Sequence, residues 1–204
     1  MTKKLTEFSV VFLYDAILLN NINVITDIKN KLDKIYNENV NPIINQIPNE
    51  IINIILTKEN LQITILNKQL IIAKHNPLDE IVDLKYFDIC EQIFDSIKIN
   101  AHTPKAYGLN FTYEITNLPH LAEYLNKFGN DQININQIEF SYNHLNNIKY
   151  NLFNLKNEKI IINTNVHTDL NTTDTITNTI LQANYNSTKT QIESIIDLEF
   201  ENSE

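Results

Sequence analysis

The chain has 204 residues, a formal net charge of −9, and no arginine among its 16 basic residues. That length buries one sizeable core, or two small ones that share a sheet. The acidic balance and the missing guanidinium argue against nucleic-acid backbones, anionic membranes and phosphate-centred chemistry. The 33 Asn and 34 Ile are the composition expected from the A/T-rich codons of an AT-rich genome. Isoleucine favours strands because its branched side chain fits a pleated surface. With only Gly108 and Gly129 available, asparagine must fill most positions that need a positive φ.

In chain order, Phe8 to about Leu19 reads as a first strand, with Phe8, Val10, Phe12 and Tyr14 on one face and Val11 and Leu13 on the other. Val24, Ile25, Ile28, Leu32, Ile35 and Tyr36 recur at helical spacing, so a helix is expected over 24–36. Residues 37–49 contain Asn41-Pro42 and Ile47-Pro48, and are expected to be irregular. Three short strands follow over 51–56, 61–66 and 69–74, with Asn67-Lys68 as a tight turn. Asn76-Pro77 then opens a long helix to Ile97, with Asn as cap and Pro at the first helical position.

After a linker over 100–105, the order begins again. Leu109, Phe111, Tyr113 and Ile115 alternate with polar residues, which predicts a strand. A helix over 118–128 stops at Gly129, and strands are expected over 137–142, 148–155, 159–169 and 175–185, the last of which also reads as a helix. Thr188 and Gln191 resemble a capping box for a closing helix through Phe200. The expected fold is α+β: a mostly antiparallel sheet with helices on one face, in two pseudo-repeated β-α-β(3–4)-α halves over 1–100 and 101–204 that form one compact domain. This order is similar to the duplicated TATA-binding-protein-like architecture and to hot-dog and helix-grip folds. No residue motif accompanies the likeness, and fold alone does not define function.

Catalytic and metal-binding patterns are sparse. Cys90 lies on the apolar stripe of its helix, which makes it a core thiol rather than a nucleophile. His75, His102, His120, His144 and His167 show no HxxxH or HxH spacing, and no second cysteine completes a zinc site. His167-Thr168-Asp169 is the one close His/Asp pairing. Asp15 interrupts the longest apolar run, where a bulge or strand end is expected to expose it to water, and Glu114 occupies the polar face of the matching strand of the second half. If the halves are related by pseudo-symmetry, these two carboxylates could share a cleft. Asp15, Glu114, His167 and Asp169 are therefore the candidate site residues, with no cofactor or metal expected. Two isolated glycines cannot build a phosphate loop.

A lone cysteine excludes an internal disulfide, and the N-terminus lacks a signal-peptide pattern or a membrane span, so a cytoplasmic location is expected. The expected function is a non-catalytic protein-interaction module of the accessory, inhibitor or immunity type, acting through a sheet face or edge. Its partner would be another protein or a second copy, with no nucleic acid and no membrane. The alternative is a small-molecule binder or hydrolase-like protein with a cavity between the sheet and the long helix.

Overall fold

The computed structural model describes residues 1–17, 22–77, 84–98, 104–117, 137–138, 148–156, 159–171 and 176–200. It is an α+β fold. Its strands are β1 (Thr2–Leu13), β2 (Ile43–Ile47), β3 (Ile51–Leu56), β4 (Leu61–Leu66), β5 (Gln69–His75), β6 (Ala106–Thr116), β7 (Gln137–Ile138), β8 (Ile148–Lys156) and β9 (Lys159–Asp169). Its helices are α1 (Ile22–Tyr36), α2 (Leu84–Lys98) and α3 (Asn178–Phe200). The strands form one sheet in the order β2-β3-β4-β5-β1-β6-β9-β8-β7. Every neighbouring pair is antiparallel.

The register explains where the core lies. Phe8, Val10 and Phe12 stand beside Phe111, Leu109 and Tyr107 of β6. On the other side Val10 and Phe12 meet Ile72 and Leu70 of β5. Period-2 alternation carries this buried row outward through Ile63 and Ile65 of β4 to Ile52 and Ile54 of β3, and through Thr164 and Ile162 of β9. α2 and α3 bring rings onto that row. Phe8 packs against Tyr86 and Phe87 of α2, Phe111 of β6 and Tyr185 of α3, at centroid distances of 4.7–6.3 Å. Phe12 meets Phe94 of α2 at 5.4 Å. α1 adds Val24, Ile28 and Leu32 to the same cluster.

Asparagine takes over the role of glycine. The described non-glycine residues with positive φ are Asn37, Asn49, Asn60, Asn76 and Asn117. Asn37 ends α1 in a Schellman turn. The Glu38 amide donates to the Asp33 carbonyl at 3.2 Å and the Asn37 amide to the Lys34 carbonyl at 3.3 Å. Asp33 fixes the exit further, accepting from the Val40 amide at 2.8 Å and from Lys29 Nζ at 2.8 Å. Those contacts, the lysine first, hold its carboxyl below the usual range. Asn37→Ala is expected to lose about 1 kcal/mol, because a Cβ in the left-handed region is strained, whereas Asn37→Gly loses nothing. Urea unfolding of the two variants checks this, and equal stabilities would contradict it.

Four expectations are corrected. β1 begins at Thr2, because Thr2–Leu5 pair with Tyr113–Thr116 of β6. It ends at Leu13, where the chain bends and the Tyr14 amide donates to the Lys68 carbonyl at 2.9 Å. Residues 43–47 form β2, since Pro42 and Pro48 flank that strand without interrupting it. Residues 178–185 of the threonine-rich segment take the helical alternative, not the strand, and belong to α3, which runs unbroken through Thr188. Leu181, Tyr185, Thr188, Ile192 and Ile196 are its buried stripe. Thr177 Oγ1 caps it by accepting the Ile180 amide at 3.3 Å. Thr190 and Ser194 donate to the carbonyls of Asn186 and Thr190, which accommodates hydroxyl residues inside a helix. The expected helix over 118–128, most of the strand over 137–142, and His102, His120 and His144 lie outside the described residues.

Candidate functional site

Strand alternation that buries one face of the sheet places a second set of side chains on the other, where most are half-buried. Across β1, β6 and β9 this face is neutral and polar. Ser9, Asn110 and Asn165 stand in register. Asn165 Nδ2 donates to Asn110 Oδ1, and Asn110 Nδ2 donates to Ser9 Oγ at 3.3 Å. One register step along, Thr112 Oγ1 donates to Asn163 Oδ1 at 2.9 Å. These amides and hydroxyls are tied to one another, so the row is a pre-ordered polar strip rather than a set of reactive groups.

Towards the β2 end the same face becomes apolar. Ile43 and Ile47 stand opposite Ile55 and Ile51 of β3, with Asn45 opposite Asn53 between them. Asn53 Oδ1 accepts from Thr64 Oγ1 of β4 at 3.1 Å. β2 closes this side of the sheet and pairs only with β3 among the described residues. All five of its residues are exposed, with Ile43 at 55% and Ile47 at 52%. It carries no charge, although sheet edges are usually protected by charged side chains. The proline-bounded segment concealed this strand from sequence reading. The matching Ile-x-Asn-x-Ile spacing in 43–47 and 51–55 was the signal that could have revealed it.

The predicted site residues do not assemble into a reactive centre. Asp15 is exposed in the bend after β1 and ion-paired with Lys105. Glu114 pairs with Lys159 at 2.9 Å and lies beside the β1 position of Lys4. Lys4 and Leu13 stand nine steps apart on β1, roughly 30 Å at strand rise, so the two carboxylates lie at opposite ends of β1. His167 Nε2 lies 3.0 Å from Asp169 Oδ1 in an exposed pair at the Asp15 end. A second such pair, His75 Nδ1 with Glu7 Oε2 at 3.1 Å, was not singled out from sequence. Cys90 is fully buried, and burial pushes its thiol well above the usual range, so it is not a thiolate nucleophile at neutral pH.

Among the described residues, no group of three His, Cys, Asp or Glu side chains could hold a metal ion, and no helix is long and apolar enough to cross a membrane. The interface between the sheet and α2 is filled by the rings of Phe8, Phe12, Tyr86, Phe87 and Phe94. A depression of about 120 Å³ between the α1–β2 loop and the β3–β4 turn is lined by Glu38, Val40, Leu56 and Lys58, among others. That is smaller than the roughly 300–1,000 Å³ of ordinary small-molecule sites. No known protein family matches the chain, and no curated protein is similar to it.

Proposed function

We propose that this protein is a non-catalytic interaction module of the cytoplasm that binds another protein through the β2 edge of its sheet and the adjoining face. The observation that carries this reading is the uncharged, exposed edge strand with its isoleucines aligned on those of β3. Unpaired strand amides and carbonyls supply the main-chain hydrogen bonds of strand addition, and alternate side chains supply selectivity. In this reading the helices occupy one face of the sheet and leave the other to the partner. The chain is then a duplicated unit, since the first strand of each half pairs with its last: β1 with β5, and β6 with β9.

The test is a binding assay on Ile43→Lys/Ile47→Lys. Both side chains point into solvent, so the melting temperature should stay within a few degrees of the parent. Binding to a host protein, or to a second copy, should fall at least tenfold. Undiminished binding by the double variant would rule out β2 as the contact.

A further inference from the structure

β2 reads Ile43-Ile44-Asn45-Gln46-Ile47, and its pattern on the open face, Ile-Asn-Ile, is the same in both directions. The β2–β3 pairing joins this triplet to another of the same kind, Ile51-Asn53-Ile55, in antiparallel register. We infer that β2 pairs antiparallel with β2 of a second copy about a two-fold axis at Asn45, joining two sheets edge to edge. This rests on the interaction reading above and names its partner.

In that register Ile43 faces the second copy's Ile47, Asn45 faces Asn45, and Ile44 faces Gln46. The apolar pairs and the amide pair of the β2–β3 ladder are thus repeated across the axis. The uncharged edge also admits this occupant. Two chains of −9 repel, and the strand between Pro42 and Pro48 is a stretch where they can meet without placing charge against charge. The flanking charges Glu38, Glu50, Lys58 and Glu59 are mostly acidic, so added salt strengthens the pairing, whereas it would weaken attachment of a basic partner. Five residues of strand span only about 17 Å. The contact is therefore smaller than the ~800 Å² per partner of a standard stable interface, and the dimer is weak and concentration-dependent.

The test uses the full chain and two single-cysteine reporters. The parent's one thiol, Cys90, is buried and does not interfere. Paired Cα atoms of an antiparallel ladder lie about 4.5–5.5 Å apart, within disulfide reach. Asn45→Cys should therefore cross-link to a dimer under mild oxidation. Ile43→Cys, whose twin lies four residues out of register, should cross-link at least tenfold more slowly. Sedimentation of the parent should show mass rising above 23.7 kDa with concentration, more so at higher salt. Equal cross-linking of the two reporters, or a parent that stays monomeric into the millimolar range, overturns the self-pairing. In that second case, capture of a host protein that is lost in Ile43→Lys/Ile47→Lys preserves the interaction reading, and no capture removes both.

Discussion

Phe8→Ala is expected to lower stability by about 3–5 kcal/mol, the range for emptying a fully buried aromatic site. The ring is completely inaccessible and touches rings from three other elements: Tyr86 and Phe87 on α2, Phe111 on β6 and Tyr185 on α3. Those neighbours are held against each other as well, with Phe111 and Tyr185 stacked at 5.5 Å and Tyr86 and Phe87 edge-on at 5.4 Å. They cannot collapse into the vacancy without breaking their own contacts. Domains of this size hold only about 5–15 kcal/mol in total, so the variant should stand at the edge of folding at 37 °C. Phe8→Leu, which retains most of the apolar volume, should lose roughly half as much. Urea unfolding measures both. A loss below about 1.5 kcal/mol in Phe8→Ala would mean that the helices are not locked to the sheet through this ring.

Tyr86→Phe is the second large effect, at about 1–3 kcal/mol. The Tyr86 hydroxyl donates to the Ile72 carbonyl at 2.5 Å and accepts from the Val10 amide at 3.2 Å. It thereby joins α2 to the backbones of β5 and β1 inside the core. Removing one oxygen leaves these buried backbone groups without that partner, while the ring and its packing remain. Burial holds the phenol well above its ordinary value. Above about pH 10 the unfolded chain can ionise this tyrosine and the folded chain cannot, so folding stability declines as pH rises through that range. The deficit of Tyr86→Phe relative to the parent should therefore be constant from pH 5 to 9 and shrink above pH 10. A deficit below about 0.5 kcal/mol at pH 7 would contradict the bridging role.

Much of the local structure was legible because isoleucine at every second position has one physical meaning. Residues 51–56, 61–66 and 159–169 fold as the strands their alternation predicts. The asparagine substitution for glycine was equally legible, since few other side chains tolerate positive φ. The first part of α3 reads as either strand or helix because threonine and asparagine are weak helix formers in isolation, and its burial against the sheet decides for the helix. Sheet order was not legible: runs as alike as 51–56 and 61–66 do not specify which strand sits beside which.

The surface features were legible only in part. The polar strip joins residues 101 and 55 positions apart, Ser9 to Asn110 and Asn110 to Asn165, which no local pattern announces. Asp15 attracted notice as a charge within an apolar run. β1 ends at Leu13 and Asp15 lies in solvent beside Lys105, the exposed position that a charge at a strand end predicts. The β2 edge was hidden by its prolines, which border the strand without entering the ladder.

The central claim is that β2 is the contact surface, and amide hydrogen exchange over 43–47 tests it most directly. At sub-micromolar concentration without a partner, amides of an exposed edge strand should exchange fast. At saturating concentration of the partner, or of the chain itself, the same amides should slow at least tenfold, with Ile43→Lys/Ile47→Lys showing no such change. Association that leaves 43–47 exchanging at its original rate while another surface becomes protected would contradict the account.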